Sequence, residues 1–506
     1  MAEKLLVLGA GMAGLFTALA FAPGTREILI LERDPALPDG GVEAAFADWH
    51  RRGVGQLRHS HGFLARMRNV IKHRHPDLLD RLREAGCREI GFADLMPTAL
   101  RQTYTPRPGD EDMVILTSRR TSFEFIVRRY VEALPGVAIV SDAFVRELII
   151  DAEPGAPLRV LGARGERDGR PEEWRADVTV DAQGRLSEAK DQLIAAGAAI
   201  AEEAEDCGIL YFTRHYRRVA AEPAASRATS TGDLGYIKYA RFPGDNGCFS
   251  ITLAVPEVET ALRQAVLKPE VFEQVCAMFP GIADWVGPPA SEPISRVFGM
   301  GDLKSHWRRF VSPERRAILG FFALGDSLIR TNPLYGRGCS FAAVESEILQ
   351  SVLDETADPA LRARLYDARI ATALRPYFED MRGQDRAAIR RAARALDPSY
   401  RAPLRSRVLQ SFIGDGVGIA VRTDVDLLRE VLREFNMVDP PRAWLKRPEN
   451  MLKVVGRWAR GRTANARYYP PPLGPRRGEM MAALGLDPVA ASPVLLFGAP
   501  AETKEA

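Results

Sequence analysis

The chain has 506 residues, too many for one simple hydrophobic core, so two or three structural regions are expected. Hydrophobic residues make up 46% and charged residues 27%, an ordinary globular balance, and a net charge of +3 offers no basic field for a nucleic-acid partner. Cys87, Cys207, Cys248, Cys276 and Cys339 are scattered without a C-x-x-C pair, which argues against a disulfide framework or a cysteine zinc site and fits a reducing, cytoplasmic setting. The chain enters a strand at once, so no signal peptide is expected, and no run of eighteen apolar residues exists to span a bilayer.

Leu5–Leu8 is a short apolar run with the length of a buried strand. Gly9, Gly11 and Gly14 follow as G-x-G-x-x-G and open a helix through Met12 and Ala13. A second strand, Glu27–Leu31, ends at Glu32. In this strand–turn–helix setting the first glycine permits the tight turn, the second lets a pyrophosphate reach the backbone, and the third lets helix and strand pack closely. The helix N-terminus then meets the phosphates with free N–H groups. Glu32 stands where a carboxylate accepts from ribose hydroxyls. The motif marks a dinucleotide site without separating NAD from FAD.

A Pro/Gly-rich loop follows, then an amphipathic pattern from Gly62 and a further helix around Leu78–Leu82. Five of the seven histidines lie between His50 and His75, and His59-Ser60-His61 is the pair that could suggest a metal. Two histidines do not complete a tetrahedral site and no third ligand stands nearby, so no metal is expected. Ile90–Thr105 and Met113–Leu116 read as strands. Arg120 opens a long helix that Pro135-Gly136 stops, and the strand Val137–Val140 comes next.

Phe144–Ile150, Leu158–Arg164 and Trp174–Val180 read as a three-stranded meander leading to Asp181 and Gly184, a sharp turn at a strand's carboxyl end. From Cys207 to Ser250 the period changes to two, and with Ile294–Met300 it predicts a second, antiparallel sheet, with a helix at Lys268–Ile282 between. Tyr211, Phe249 and Met300 are its candidate substrate-wall residues, with core packing as the alternative for each. The strand Ala317–Leu324 then ends at Gly325-Asp326, and a loop with Asn332-Pro333 and Gly336-Arg337-Gly338 enters a long helix at Cys339. This repeats the strand–loop–helix arrangement of the N-terminus and offers a second helix end to a partial negative charge. Beyond about residue 360 the chain is helical and arginine-rich to roughly 465. These helices read as a solvated cap in preference to a membrane-resting layer. A proline-rich break at Tyr468–Pro475, a weak helix and a tail complete the chain.

Together these motifs resemble the FAD-dependent monooxygenases of the para-hydroxybenzoate hydroxylase fold, and within them the squalene-epoxidase-like and polyether-epoxidase-like branch. The residues that carry the resemblance are Gly9 to Gly14 with Glu32, Gly53-Val54-Gly55-Gln56 with His59 and His61, Arg120 to Glu124, Asp181 to Arg185, and Gly325-Asp326 with Asn332 to Gly338. They span about residues 4–350. Two positions depart: Gly55 stands where the family loop has a proline, and Glu188 where it has a basic residue.

The resemblance implies an α/β fold. Its parts would be a Rossmann-type FAD-binding domain of the GR2 type (residues 1–200, returning at 306–360), an inserted antiparallel-sheet substrate domain (201–305) and a helical C-terminal region (361–506). It implies that Gly9, Gly11, Met12, Ala13 and Gly14 face the FAD pyrophosphate and that Glu32 and Arg33 serve the adenosine. Arg52, Gln56, Arg120 and Asp181 would line the cofactor. Gly325 and Asp326 would hold the ribityl chain, Gly336, Gly338 and Cys339 would close over the flavin ring, and Pro333 would face the substrate. The implied activity inserts one oxygen atom from O2 into an apolar small molecule, by epoxidation or hydroxylation, through a flavin C4a-hydroperoxide. Since the cofactor does the chemistry, no protein nucleophile or general base is required. Electrons would come from NAD(P)H or from a partner flavin reductase. The competing readings are a flavin dehydrogenase or reductase, a flavin-dependent halogenase (for which Lys72 is the lysine nearest the right part of the chain), and a flavin-binding scaffold without turnover.

Overall fold

The computed structural model describes residues 2–102, 104–220, 229–311, 316–397 and 399–487, so the far C-terminal tail expected from the sequence lies outside the described residues. The chain divides into two compact units. The first comprises Met1–Glu89, Ile115–Asp206 and Lys304–Arg382; the second comprises Ile90–Val114, Cys207–Leu303 and Gly383–Ala506.

The first unit is built on a five-stranded parallel sheet. Lys4–Leu8 lies at its centre, with Val178–Asp181 and then Phe321–Ala323 on one side, and Glu27–Leu31 and then Val137–Val140 on the other. All ten residues of the helix Met12–Phe21 are buried, which is why its sequence lacks a polar stripe. It packs against the helices Arg120–Glu132 and Gly338–Glu355. Three of the strands that meet here (Lys4–Leu8, Val178–Asp181, Phe321–Ala323) end in the glycine-rich or acidic turns singled out in the sequence, so those turns gather at one sheet edge.

Two predicted strands are each divided in the structure. Trp174–Val180 is two strands. Arg170–Arg175 pairs with Leu158–Arg167 in the meander, while Val178–Asp181 crosses to the parallel sheet. The switch is fixed by Asp177, whose carboxylate accepts the Lys4 amide at 2.8 Å. Ala317–Leu324 breaks at Gly320, whose φ of +72° and approach to the Val160 carbonyl (2.7 Å for a Cβ there) suit only glycine. Ile318–Leu319 then joins the meander and Phe321–Ala323 the parallel sheet.

The second unit holds an antiparallel sheet of Thr231–Asp233, Lys238–Pro243, Cys248–Pro256, Ile209–Arg218 and Ser291–Pro293, with Phe298–Met300 also paired to Ile209–Arg218. One face packs on the helices Thr260–Ala265 and Pro269–Ala277 through Phe212, Tyr216, Phe249, Phe272 and Val275, joined by Met480 and Met481. The predicted strand Ile90–Thr105 is corrected: only Arg88–Ile90 is extended, and turns and a short helix, Thr98–Arg101, follow. Phe92, Met96 and Leu100 recur every four residues, a helical spacing, and pack with Met113 and Leu428. The rest of this unit is helical, with Leu404–Ser411 running through Phe412–Val417 into Gly418–Thr423, then Val425–Phe435 and Pro448–Ala459. Among the described residues no helix is long and apolar enough to cross a membrane.

Candidate functional site

The site is built at the carboxyl edge of the parallel sheet. Gly9 turns with φ of +103° and lies so close to the Ala182 carbonyl that a Cβ would approach it to 2.7 Å. A Cβ on Gly14 would sit 1.9 Å from the Gly9 carbonyl oxygen, so helix and loop touch through hydrogen atoms alone. Gly11 is the opposite case: nothing stands within 4 Å of the position its Cβ would take. It is the N-cap of Met12–Phe21, and no side chain caps that end. One face of the turn is therefore closed by packing and the other is open beside unused helix amides, the geometry that accepts a phosphate.

Glu32 is buried at the end of its strand. Its Oε2 accepts from the Ala10 amide at 2.8 Å and from Arg51 at 2.6 Å, and its Oε1 accepts from the Asp34 amide at 2.9 Å. Oε1 thus keeps capacity for one further donor. Arg51 is the residue that sequence reasoning missed. Its guanidinium is 1% exposed, pairs with Glu32, Asp34 and Glu124, reaches the Ala10 carbonyl at 3.3 Å and lies over the Trp49 ring. Burial by itself lowers the pKa of Arg51; the Glu124, Glu32 and Asp34 carboxylates overturn that and hold it above its ordinary value. The neighbouring Arg52, expected near the cofactor, has an exposed side chain and donates its amide to Asp34 at 3.2 Å. Arg33 lies over Gly53, where a Cβ would come within 3.0 Å of its guanidinium. Gln56 is half-buried in the same loop.

Arg120 is buried at the start of its helix. It donates to Glu124 at 2.7 Å and stands 3.3 Å from both the His61 Nε2 and the Cys339 Sγ. Burial lowers its pKa and the Glu124 charge more than restores it; burial likewise pushes the Cys339 thiol up against the pull of Arg120. The other ring nitrogen of His61 faces the His59 carbonyl at 2.9 Å, and burial pushes His59 down to about 4, so that ring is neutral at pH 7.

Asp181 closes its own turn. It accepts from the Ser187 hydroxyl at 2.5 Å and the Gln183 amide at 3.1 Å, and burial pushes its carboxyl up. Gly325 has φ of +61° and would press a Cβ against Ala13, so the turn Gly325–Ser327 sits on the first helix. Burial raises the Asp326 carboxyl, and Arg330, Arg120, Arg185 and Arg308 oppose the rise. The Gly325 amide donates to Glu345 Oε2 at 2.5 Å. Glu345 is fully buried, its Oε1 has no partner among the described residues, and no cation acts on it. Burial pushes it to about 8, which makes it a neutral acid at pH 7. Nothing in the helical pattern of Gly338–Glu355 marks this residue as different from its neighbours. Gly336, at φ of +64°, leads through buried Arg337 to the second uncapped helix end, where Gly338 is exposed and Cys339 partly so. Pro333 is exposed on the turn that Asn332 caps.

The candidate substrate-wall residues separate by strand parity. Tyr211 and Met300 are register partners and cluster with Cys207, Ile209, Ala254 and Leu303 on one face of the second sheet. Thr213 and Thr252 share a 2.7 Å hydroxyl contact in the same pairing. Phe249 pairs with Tyr216, five residues on from Tyr211, and therefore lies on the other face, stacked on Tyr216 in the core. Lys72 is half-buried in the helix Ala65–Arg74.

No protein-family model and no curated relative matches the chain. Solved structures do. It is similar to the p-nitrophenol 4-monooxygenase PnpA from Pseudomonas putida (15% identity, covering 87% of this chain and 99% of that one, TM-score 0.55). It is similar to the flavin-dependent brominase Bmp2 (16%, 91% and 100%, TM-score 0.54) and to the flavin-dependent halogenase CmlS (14%, 87% and 77%, TM-score 0.56). At these identities the likeness establishes the fold: the mixed α/β architecture, with antiparallel sheets and a helical C-terminal region, is that of flavin-dependent monooxygenases and halogenases.

Proposed function

We propose that the chain is an FAD-dependent monooxygenase that transfers one oxygen atom of O2 to an apolar small molecule. The observation that carries the reading is the turn at Gly9, Gly11 and Gly14, closed against Ala182 and the helix on one side and open at Gly11 on the other. A second uncapped helix end, at Gly338, follows the Asp326 turn. The residues fit the cofactor. Gly11, Met12 and Ala13 would hold the pyrophosphate, Glu32 a ribose hydroxyl through its remaining lone pair, Asp326 the ribityl chain, and Gly336 to Cys339 the flavin ring. Arg33, Arg120 and Arg185 set a positive field around these positions.

The chemistry supplied by bound FAD is activation of O2 by its reduced ring system. The protein's own part is to bind, orient and exclude water. Arg51 locks Glu32 and the Gly-rich loop together, Arg120 fixes the helix start near Cys339, and Glu345 holds the Gly325 turn. Tyr211, buried with Met300 against it, would be the apolar wall offered to the substrate. The branch resembling squalene and polyether epoxidases rests on the sequence motifs, and epoxidation and hydroxylation are both open to such a surface.

Halogenation is the second reading, favoured by the names of two of the three neighbours described above. The deciding experiment is rapid mixing. The flavin is reduced anaerobically and mixed with oxygenated buffer, with and without bromide or chloride, while its spectrum is followed. A transient species unlike either the oxidised or the reduced flavin, with oxygenated product independent of halide, supports the monooxygenase. Product that contains halogen supports the second reading. Smooth reoxidation with every substrate class assigns the chain to the dehydrogenases.

A further inference from the structure

The strand Lys304–Arg309 lies in the middle of a three-stranded sheet, between Ala201–Asp206 and Ile329–Arg330. Its four inner residues, Ser305 to Arg308, are all buried, so both faces of the strand are packed. His306 and Arg308 stand two residues apart and share one face. Both reach the turn Gly325–Ser327. The His306 Nε2 donates to the Asp326 carbonyl at 2.9 Å, and an Arg308 Nη donates to the Ser327 carbonyl at 3.1 Å. Just beyond the turn, the Arg308 amide donates to the Leu328 carbonyl at 3.0 Å.

Two further tethers hold the same turn. The Gly325 amide donates to Glu345, and the Ser327 hydroxyl accepts from the Gly184 amide at 2.9 Å. With four points held, the group left over is the Asp326 carboxylate, which accepts no hydrogen bond from a described residue. Arg330, Arg120, Arg185 and Arg308 act on it through charge alone. Its lone pairs are therefore open to a hydroxyl donor. The donors behind the turn suit that purpose. Burial and the neighbouring Arg308 push His306 down to about 4, so it donates as a neutral ring at pH 7. The Arg308 charge meets Glu202, which accepts from it at 2.9 Å and from Lys190 at 2.8 Å. Neither donor brings an uncompensated cation that would draw the Asp326 carboxylate back onto the protein.

We propose that His306 and Arg308 are positioning residues of the cofactor site: through the Asp326 and Ser327 carbonyls they hold the Asp326 carboxylate out to a ribityl hydroxyl of the flavin. The inference rests on the flavin reading and adds to it two residues that act on the cofactor through the turn. The Gly11 face serves the adenosine pyrophosphate half of FAD and the Asp326 turn serves the ribityl half, so the two halves can be tested apart.

The test is titration of the flavin-free full chain with FAD and, separately, with ADP, which carries the adenosine pyrophosphate half alone. His306→Ala should weaken FAD binding about tenfold, the effect of one lost hydrogen bond, and leave ADP affinity within about twofold of wild type. His306→Gln restores an N–H donor and should recover most of the FAD affinity. Arg308→Lys keeps a charge opposite Glu202 but loses the second arm of the fork, and should also weaken FAD and spare ADP. In an Asp326→Ala background, His306→Ala should cost less than about twofold more, because its effect passes through that carboxylate. Melting temperatures of the flavin-free variants are checked alongside, and Arg308→Lys carries the test if His306→Ala does not fold. Wild-type FAD affinity in both His306→Ala and Arg308→Lys overturns the inference and leaves the flavin reading standing. Equal losses for FAD and ADP, no rescue by His306→Gln, or a full further loss in the Asp326→Ala background overturns it in favour of a general structural role. A wild type that binds ADP but not FAD overturns the flavin reading, and the inference with it.

Discussion

Replacing Arg51 by methionine tests whether its buried charge network organises the cofactor edge. The side chain is 1% exposed and serves three carboxylates at once, those of Glu32, Asp34 and Glu124. Adding three separate ion pairs would overstate the loss, because each acid keeps other partners. Glu124 keeps Arg120, Glu32 keeps the Ala10 and Asp34 amides, and Asp34 keeps the Arg52 amide at 3.2 Å and the Gly53 amide at 3.4 Å. Removing one partner of a buried pair costs about 3–5 kcal/mol, and that is the expected loss here. Urea unfolding followed by tryptophan fluorescence measures it, since the Arg51 guanidinium lies 5.0 Å from the centre of the Trp49 ring. A Trp49→Phe control identifies the transition that this ring reports. Arg51→Lys keeps the charge but not the fork, and should recover less than half of the loss. Combining Arg51→Met with Glu124→Gln should cost less than the sum by about 1–3 kcal/mol, because the two side chains touch. A loss within about 0.5 kcal/mol of zero for Arg51→Met would refute the reasoning.

Three further outcomes are expected. Gly14→Ala places a methyl group 1.9 Å from the Gly9 carbonyl oxygen, so helix and loop must separate. Flavin affinity, read by titration of the flavin-free protein, should fall at least tenfold, and wild-type affinity would count against the closed-face geometry. Gly320→Ala forces φ of +72° on a residue with a Cβ and meets the Val160 carbonyl at 2.7 Å, so the unfolding midpoint should drop by the equivalent of roughly 1–3 kcal/mol. An unchanged midpoint would show that the strand break tolerates a side chain. For Glu345 the folded chain holds its proton up to about pH 8, while the unfolded chain releases it near the ordinary 4.5. Unfolding therefore releases a proton between those values, and stability falls as pH rises through that window, by about 1.4 kcal/mol per unit. Glu345→Gln does not titrate, so its stability advantage over the wild type should widen by about 4 kcal/mol from pH 5 to pH 8. A constant gap in the unfolding midpoints of the flavin-free proteins would contradict a neutral Glu345.

The parts of the molecule legible in the sequence are those whose physics is local. Gly9, Gly11, Gly14 and Glu32 announce a turn between two strands within one short stretch, and the structure forms both strands, the helix and the open Gly11 face. The helix that begins at Arg120 and the period-two strands of the second unit were likewise readable from spacing. What escaped depends on partners far along the chain. Arg51 and Arg52 are adjacent and chemically alike, and Glu32, Asp34 and Glu124 pair with the one that is buried. Phe249 and Tyr211 both look like sheet aromatics, and cross-strand register assigns them to opposite faces. Ile90–Thr105 has the apolar content of a strand, but Leu428 and Met113 receive its side chains at helical spacing. Glu345 looks like any helical glutamate until the Gly325 amide is found against it.

The central claim is a dinucleotide-type flavin site at the Gly11 face, and its most direct measurement is the flavin content of the purified wild type beside that of Gly11→Val. The valine side chain fills the open space next to the uncapped helix end without touching the packed side of the turn. The account predicts one FAD per wild-type chain by absorbance and release assay, and a folded variant with the same circular dichroism and no flavin. Full FAD occupancy in Gly11→Val, or a wild type that binds no FAD when saturated with it, would contradict the account.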